Sequence, residues 1–250
     1  DLQEFIALRE FVNQNDMSLQ NNFLQVEAQL DMRSFIDHMV LQIFSADNSY
    51  ERFFWKTKVP ENDAFGDGKW RLTTQDFEAA LSSSENWLQF WSNEADLDPN
   101  SRWFGKLLEN TSFRNRFINR YADLLNTAFL PARFSQVVEH LFDEVEPYLP
   151  EDSHRMPRQQ FYQQSEKNSL LNWANQRPES ERANLLNHFN LSNTASITIQ
   201  VDAQNAGIVQ VNTVKIEPST PGVANNPYPW SGIYFDGVPV QLTAIANTGF

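Results

Sequence analysis

Along residues 1–45 the apolar positions recur at helical spacing. Phe5, Ile6, Leu8, Phe11 and Val12 mark one face, the three-to-four-residue repeat of a helix turned half toward a core. Asn15-Asp16 interrupts that face, and Asp16 is expected to cap a second short helix. A third begins after Asp31, a good N-cap residue, and turns Phe35, Ile36, Met39, Val40, Ile43 and Phe44 to one side. The period then changes. Arg52-Phe53-Phe54-Trp55-Lys56-Thr57 and Lys69-Trp70-Arg71-Leu72-Thr73 are strand-like, and Gly66-Asp67-Gly68 is turn chemistry. Residues 52–73 are therefore expected to form a β-hairpin with a loop of about ten residues. Residues 82–100, rich in Ser, Asn, Asp and Trp, read as an ordered but irregular loop.

Helical spacing resumes near Ser101 with Phe104, Leu107 and Leu108, and continues through Phe113, Phe117, Ile118, Tyr121, Leu124 and Leu125. Pro131 opens a further segment through Phe134, Val137, Val138, Leu141 and Val145, which Pro147 and Pro150 are expected to close. Helical pieces follow at 153–176 and, after Pro178 as a helix-start residue, at 179–189. Near 195 the texture turns to alternation. Strands are expected at 196–201, 208–212 and 238–245, with Pro, Gly and Asn punctuating 217–237. The expected fold is α+β: a mostly helical domain with a β-hairpin over 1–190, then a small all-β module over 191–250. No repeat is visible within the chain, although the β module resembles one unit of a repeat array.

Composition narrows the function. With 41% apolar residues, 20 Phe and 7 Trp among 250 residues, the chain has ample material for a core. A net charge of −13 argues against non-specific nucleic-acid binding and against docking on anionic membranes, and it suits a basic partner or a cation. The absence of cysteine excludes disulfides, Cys-zinc sites and thiol nucleophiles. No run of about 18 apolar residues offers a membrane span. Both ends, Asp1 and Phe250, read as cut from a longer chain. The four histidines, His38, His140, His154 and His188, lack metal spacing, and no Walker loop, dinucleotide-binding glycine fingerprint or G-x-S-x-G elbow is present.

Three stretches, taken together, resemble the CotH (spore coat protein H) kinase-like family. Asp31-Met32-Arg33-Ser34-Phe35-Ile36-Asp37-His38, ending in Phe44-Ser45-Ala46-Asp47-Asn48, is similar to the family's helix entering an Asn/Asp-rich loop. Gly68-Lys69-Trp70-Arg71-Leu72-Thr73-Thr74-Gln75-Asp76-Phe77-Glu78 looks like its strand leading into Pro-Trp-Asp-x-Asp. Phe113 to Phe129, with Glu151-Asp152-Ser153-His154-Arg155, resembles its C-terminal helices. The tail from Pro229 to Ala244 looks like a β repeat found after such domains in multidomain extracellular proteins.

The resemblance implies the C-terminal lobe of an atypical protein kinase, with the nucleotide-gripping N-terminal lobe expected before Asp1. It implies ATP and Mg²⁺ as cofactors, and Asp47 and Asp76 as the catalytic and metal-binding carboxylates. Asn48, Glu51 and Glu78 are implied as cofactor-binding neighbours. Gln75 stands where the family has Trp, Glu78 where it has a second Asp, and Glu51 where it has Asn. Phosphoryl transfer needs positioned carboxylates that hold a metal against phosphate oxygens. The implied activity is phosphate transfer from ATP to Ser/Thr of a protein. The implied setting is a secreted, bacterial cell-surface chain, with a protein substrate or surface partner and adjacent domains.

Two other readings stand beside this one. The three departures fit a catalytically inactive structural or adhesive relative. The acidic, Trp-rich make-up fits a carbohydrate-active or carbohydrate-binding protein, for which Trp87 and Trp91, four residues apart, would form the sugar platform unless they are buried. Arg114, Arg116 and Arg120 read as a solvated face paired with local acids, and His154 and Arg155 as residues that pin a helix end.

Overall fold

A computed structural model of the chain describes residues 2–47, 53–58, 65–77, 80–81, 84–93, 102–155, 164–203 and 206–249. The fold is α+β, about half helical with small antiparallel sheets. It divides into two compact units, one of residues 1–121 with 187–191, the other of 122–186 with 192–250.

In the first unit, α1 (Leu2–Gln14), α2 (Gln20–Glu27) and α3 (Met32–Phe44) occupy the stretch of helical spacing. Asp31 caps α3 as expected, its carboxylate accepting the Ser34 N–H at 3.0 Å. Asp16 does not cap α2. Its Oδ1 accepts the Ser18 N–H and hydroxyl at 2.9 and 2.6 Å, which fixes a turn, and α2 starts behind Leu19 without a side-chain cap. A carboxylate two residues before a backbone N–H competes for it locally, and here that competition wins. The hairpin forms between β1 (Phe53–Trp55) and β2 (Arg71–Thr73), with Phe53 opposite Thr73 and Trp55 opposite Arg71.

The hairpin is fastened to α3 at two levels. Trp70 joins the chain before the helix, donating to Gln29 O at 2.8 Å while its own carbonyl accepts the Asp31 N–H at 2.9 Å. One step on, Leu72 N–H donates to Ser34 Oγ at 3.1 Å. Inside this joint the Arg71 guanidinium pairs with Asp31 at 3.0 Å and Asp67 at 2.9 Å. Below it, Phe5, Phe54, Trp70 and Trp103 form one aromatic cluster, with ring centroids 4.8 to 5.6 Å from Phe5.

Residues 82–100 are not wholly irregular. A one-and-a-half-turn helix, α4 (Trp87–Ser92), forms there because Asn86 caps it through the Gln89 N–H at 3.1 Å and Leu88 and Trp91 are buried. Next come α5 (Trp103–Leu108) and α6 (Thr111–Leu125), whose Phe104 and Phe117 rings meet at 4.9 Å.

The second unit holds the end of α6, then α7 (Pro131–Val145), a single 3-10 turn (Glu146–Tyr148), α8 (Leu149–Arg155) and most of α9 (Gln164–Phe189). Pro131 stands in the first turn of α7, where its missing N–H costs nothing. Of the apolar face of α7 only Val138 is buried, and Val137 and Leu141 are exposed. The segment opened by Pro131 ends at Val145, just before Pro147, as expected; Pro147 and Pro150 then stand in the opening turns of the 3-10 turn and of α8. Pro178 is not a helix start; it lies inside α9. Beside it the Arg177–Glu181 ion pair, 2.9 Å apart with both side chains at or below 1% exposure, spans one turn of α9.

Beyond α9 the chain forms β3 (Thr194–Ile199), β4 (Gly207–Val211), β5 (Val214–Lys215), β6 (Trp230–Phe235) and β7 (Leu242–Ala246). Strands β3 and β6 make an antiparallel ribbon, and β5-β4-β7 a three-stranded sheet. The sequence hides β6 among Pro, Gly and Asn, and β7 starts four residues later than alternation implies. Tyr228 holds the sheet's end together: its hydroxyl accepts from Val209 N–H at 2.7 Å and donates to Ile216 O at 2.9 Å.

Candidate functional site

Asp47 follows α3 in a closed turn. Ala46 adopts a left-handed φ of 57°, its N–H bonds Ile43 O at 3.2 Å, and the Asp47 N–H bonds Gln42 O at 3.1 Å. This is the six-to-one and five-to-two pairing of a Schellman helix end, with alanine in the place usually given to glycine. The Asp47 carboxylate is fully buried, and the Gln42 amide donates to its Oδ2 at 3.4 Å. Burying a carboxylate is costly, so a fold that keeps one there holds it for its chemistry or its contacts.

Asp76 differs in access. It lies three residues past β2, is exposed, and also has a left-handed φ of 57°. Leu81, at φ 63°, is the third such residue in this region, and its N–H bonds Ser45 O at 2.6 Å. The chain thus leaves β2 beside the start of α3, at Ser34, and is fastened again at the end of α3, at Ser45. Asp76 lies between those two fastenings, and Asp47 comes two residues after the second. Left-handed φ costs a non-glycine residue about 1–2 kcal/mol, least for Asp and Asn. Three such residues in one locality are strain of the kind that collects at working sites.

Asn48, Glu51 and Glu78 lie outside the described residues. Gln75 is half-buried beside Asp76. Trp91 is fully buried and Trp87 half-buried, its ring edge-on to Phe90 at 5.0 Å. A flat sugar platform from this pair is therefore absent. His154 and Arg155 form the exposed last turn of α8. The expected local pairing of the α6 arginines is corrected: Arg116 reaches Glu27 on α2 at 2.6 Å, and Arg120 reaches Asp37 on α3 at 2.5 Å. Arg114 instead donates to Thr111 Oγ1 at 3.3 Å. The Arg120 pair braces α3, which carries Asp47 on its end, and the Arg116 pair braces α2.

The donor chemistry of Asp47 and Asp76 fits Mg²⁺, a hard cation that takes one or two protein carboxylates and fills its other positions with phosphate oxygens and water. Among the described residues no group of three or more His, Cys, Asp or Glu could hold a metal by itself. No helix among them is long and apolar enough to cross a membrane.

In the second unit the structure reveals a polar centre that helical spacing had not marked. Asp123, near the end of α6, is fully buried and accepts four hydrogen bonds, from Asn212 Nδ2, Thr213 N–H, Thr213 Oγ1 and the Tyr234 hydroxyl. Burial pushes its carboxyl above the usual range, and the four donors pull the other way. Burial and the neighbouring Asp123 carboxylate raise the Tyr234 hydroxyl far above its ordinary value.

A family model described as CotH kinase protein matches residues 1–180. A comparison with curated proteins finds no match, and neither does a comparison with solved structures.

Proposed function

Because the chain belongs to the CotH kinase protein family, we propose that it supplies the metal-binding side of an atypical kinase that moves phosphate from ATP to Ser or Thr of a protein. The kinase-like C-terminal lobe is the region that carries α3, the β1–β2 hairpin and α6. The observation that supports the site is the bond from Leu81 N–H to Ser45 O, which returns the segment bearing Asp76 to the helix end bearing Asp47.

In this reading Asp76, exposed, meets the incoming metal–nucleotide, and Asp47, buried at the Schellman turn, is fixed in direction by Gln42. Mg²⁺, when bound, supplies charge neutralisation for the phosphate oxygens. The left-handed backbone at Ala46, Asp76 and Leu81 is strain of the kind that collects at working sites, and it supports this reading. Secretion to a bacterial cell surface is part of the same proposal and rests on the family resemblance.

The test is Mg²⁺–ATP binding and phosphate transfer by the full-length protein, with Asp76→Ala alongside. Binding that disappears in the variant supports a working kinase. A wild-type protein that does not bind Mg²⁺–ATP sinks the proposal and favours the second reading, an inactive structural or adhesive relative. Gln75, Glu78 and Glu51 in place of the family's residues favour that second reading. The burial of Trp91 weighs against a carbohydrate-binding role.

A further inference from the structure

The segment 192–250 lies beyond the family-matched residues, and two features bear on whether it stands alone. Its sheets are small, a two-stranded ribbon and a three-stranded sheet whose β5 has two residues. Sheets of that size are marginal in water without a further layer. Its polar contacts also converge on one short piece of chain, residues 123–127.

Asp123 receives the β4–β5 turn and β6 together. Asn212 Nδ2 at 3.0 Å, Thr213 N–H at 3.1 Å and Thr213 Oγ1 at 2.7 Å come from the turn. The Tyr234 hydroxyl at 2.9 Å comes from β6. A carboxylate offers about four acceptor positions, so the set is full. Three residues on, Asn126 treats β6 as a neighbouring strand would. Its Nδ2 donates to Ile233 O at 2.8 Å, and its Oδ1 accepts Ile233 N–H at 3.0 Å. Arg182 on α9 donates to the same Oδ1 at 3.3 Å, which fixes which way the amide faces. At Thr127 the backbone carbonyl lies so close to Gly222, at φ 84°, that no side chain fits there.

We infer that residues 192–250 are an intramolecular clamp, locked onto the end of α6 by Asp123 and Asn126, which folds with residues 122–186 as one cooperative body. They are not a detachable spacer. The chemistry requires this coupling in both directions. Without the β segment, Asp123 loses all four of these donors. Without Asp123 and Asn126, the β4–β5 turn and β6 lose the polar groups that hold them against a helix. The inference is independent of the kinase proposal, since none of these residues belongs to the Asp47–Asp76 site.

Hydrogen exchange on the full chain tests it, comparing wild type with Asp123→Asn, Asn126→Ala and the control Thr198→Val. Thr198 bonds Ser231 across the exposed face of the β3–β6 ribbon and touches none of the clamp residues. In the two clamp variants, amide protection should fall by about tenfold or more, the loss expected for hydrogen bonds to a charged or buried group. The fall should occur together in residues 122–127, 209–216 and 230–235, and the control should leave all three unchanged. If Asp123→Asn does not fold, Tyr234→Phe removes one of the four bonds and is read in the same way. Strands that keep wild-type protection while only the α6 amides loosen would overturn the inference. So would a β segment that unfolds in a separate transition while α9 stays protected.

Discussion

Asp31 does two jobs with two oxygens, and substitution can separate them. Oδ1 caps α3 through the Ser34 N–H, a contact worth about 1 kcal/mol. Oδ2 pairs with Arg71 at 3.0 Å, where the Arg71 side chain is 4% exposed and that of Asp31 24%. The contact is an ion pair and not an aligned hydrogen bond, and removing the charge opposite a buried guanidinium costs about 1.5–3 kcal/mol. The lower end applies, because Arg71 keeps Asp67 at 2.9 Å and the carbonyls of Phe65 and Lys69 at 3.0 and 3.2 Å. Asp31→Asn preserves the cap and removes the charge, so it should cost about 1.5 kcal/mol. Asp31→Ala removes both, and should cost about 2.5 kcal/mol on the same reckoning. Urea unfolding of the three proteins measures this. Equal losses in the two variants would mean that the cap contributes nothing. An Asn variant as stable as wild type would mean that the Arg71 pair contributes nothing. Either result refutes the division of labour.

Asp76→Gly should keep wild-type stability or gain up to about 1 kcal/mol, since glycine accepts left-handed φ without strain. If Asp76 is the metal carboxylate, the same variant should lose Mg²⁺–ATP binding, and calorimetry that finds binding intact would remove Asp76 from the site. Glu181→Ala takes away the carboxylate facing buried Arg177 and should cost about 3–5 kcal/mol, whereas the paired apolar replacement Arg177→Met with Glu181→Leu should be close to neutral. Thermal melts that rank the double variant below the single one would contradict this. His188, whose Nδ1 is 3.1 Å from Gln89 Oε1, is held below its ordinary pKa of 6.5 by burial. Its neutral form is therefore favoured on folding, and the stability it contributes is present above about pH 6.5 and lost as pH falls below that. His188→Gln should flatten the decline in melting temperature between pH 7 and 5, and an unchanged slope would show that other groups set it.

The parts of the fold that depend on neighbours in sequence were legible. Asp31 caps α3 because the cap reaches only three residues, and the β1–β2 hairpin follows from two aromatic strands around a Gly-Asp-Gly turn. Asp16 misled because the same carboxylate can close a turn two residues away or cap a helix, and composition does not separate the two. Pro178 misled because α9 gains more by continuing, with Arg177 and Glu181 buried one turn apart, than it loses at one missing N–H. The partners of Arg116 and Arg120 lie 89 and 83 residues away, beyond the reach of helical spacing. Asp123 shares the polar line of α6 with Arg116 and Arg120, at intervals of four and three residues, so periodicity places it in solvent. Only the later strands reveal that it is covered. Asp47 and Asp76 are candidates by resemblance alone; the Schellman turn before Asp47 and the Leu81–Ser45 bond carried no sequence signal, because alanine and leucine occupy the left-handed positions where glycine or asparagine would have announced a turn.

The hydroxyl of Tyr228, set between the Val209 amide and the Ile216 carbonyl in a residue 6% exposed, gives the β segment a spectroscopic reporter of its own. A phenolic proton held in this way is shielded from water and exchanges only when the surrounding strands part. It should stand as a separate slowly exchanging resonance in a proton spectrum, and its disappearance would time the opening of the β4–β5 end directly, without a label or a substitution.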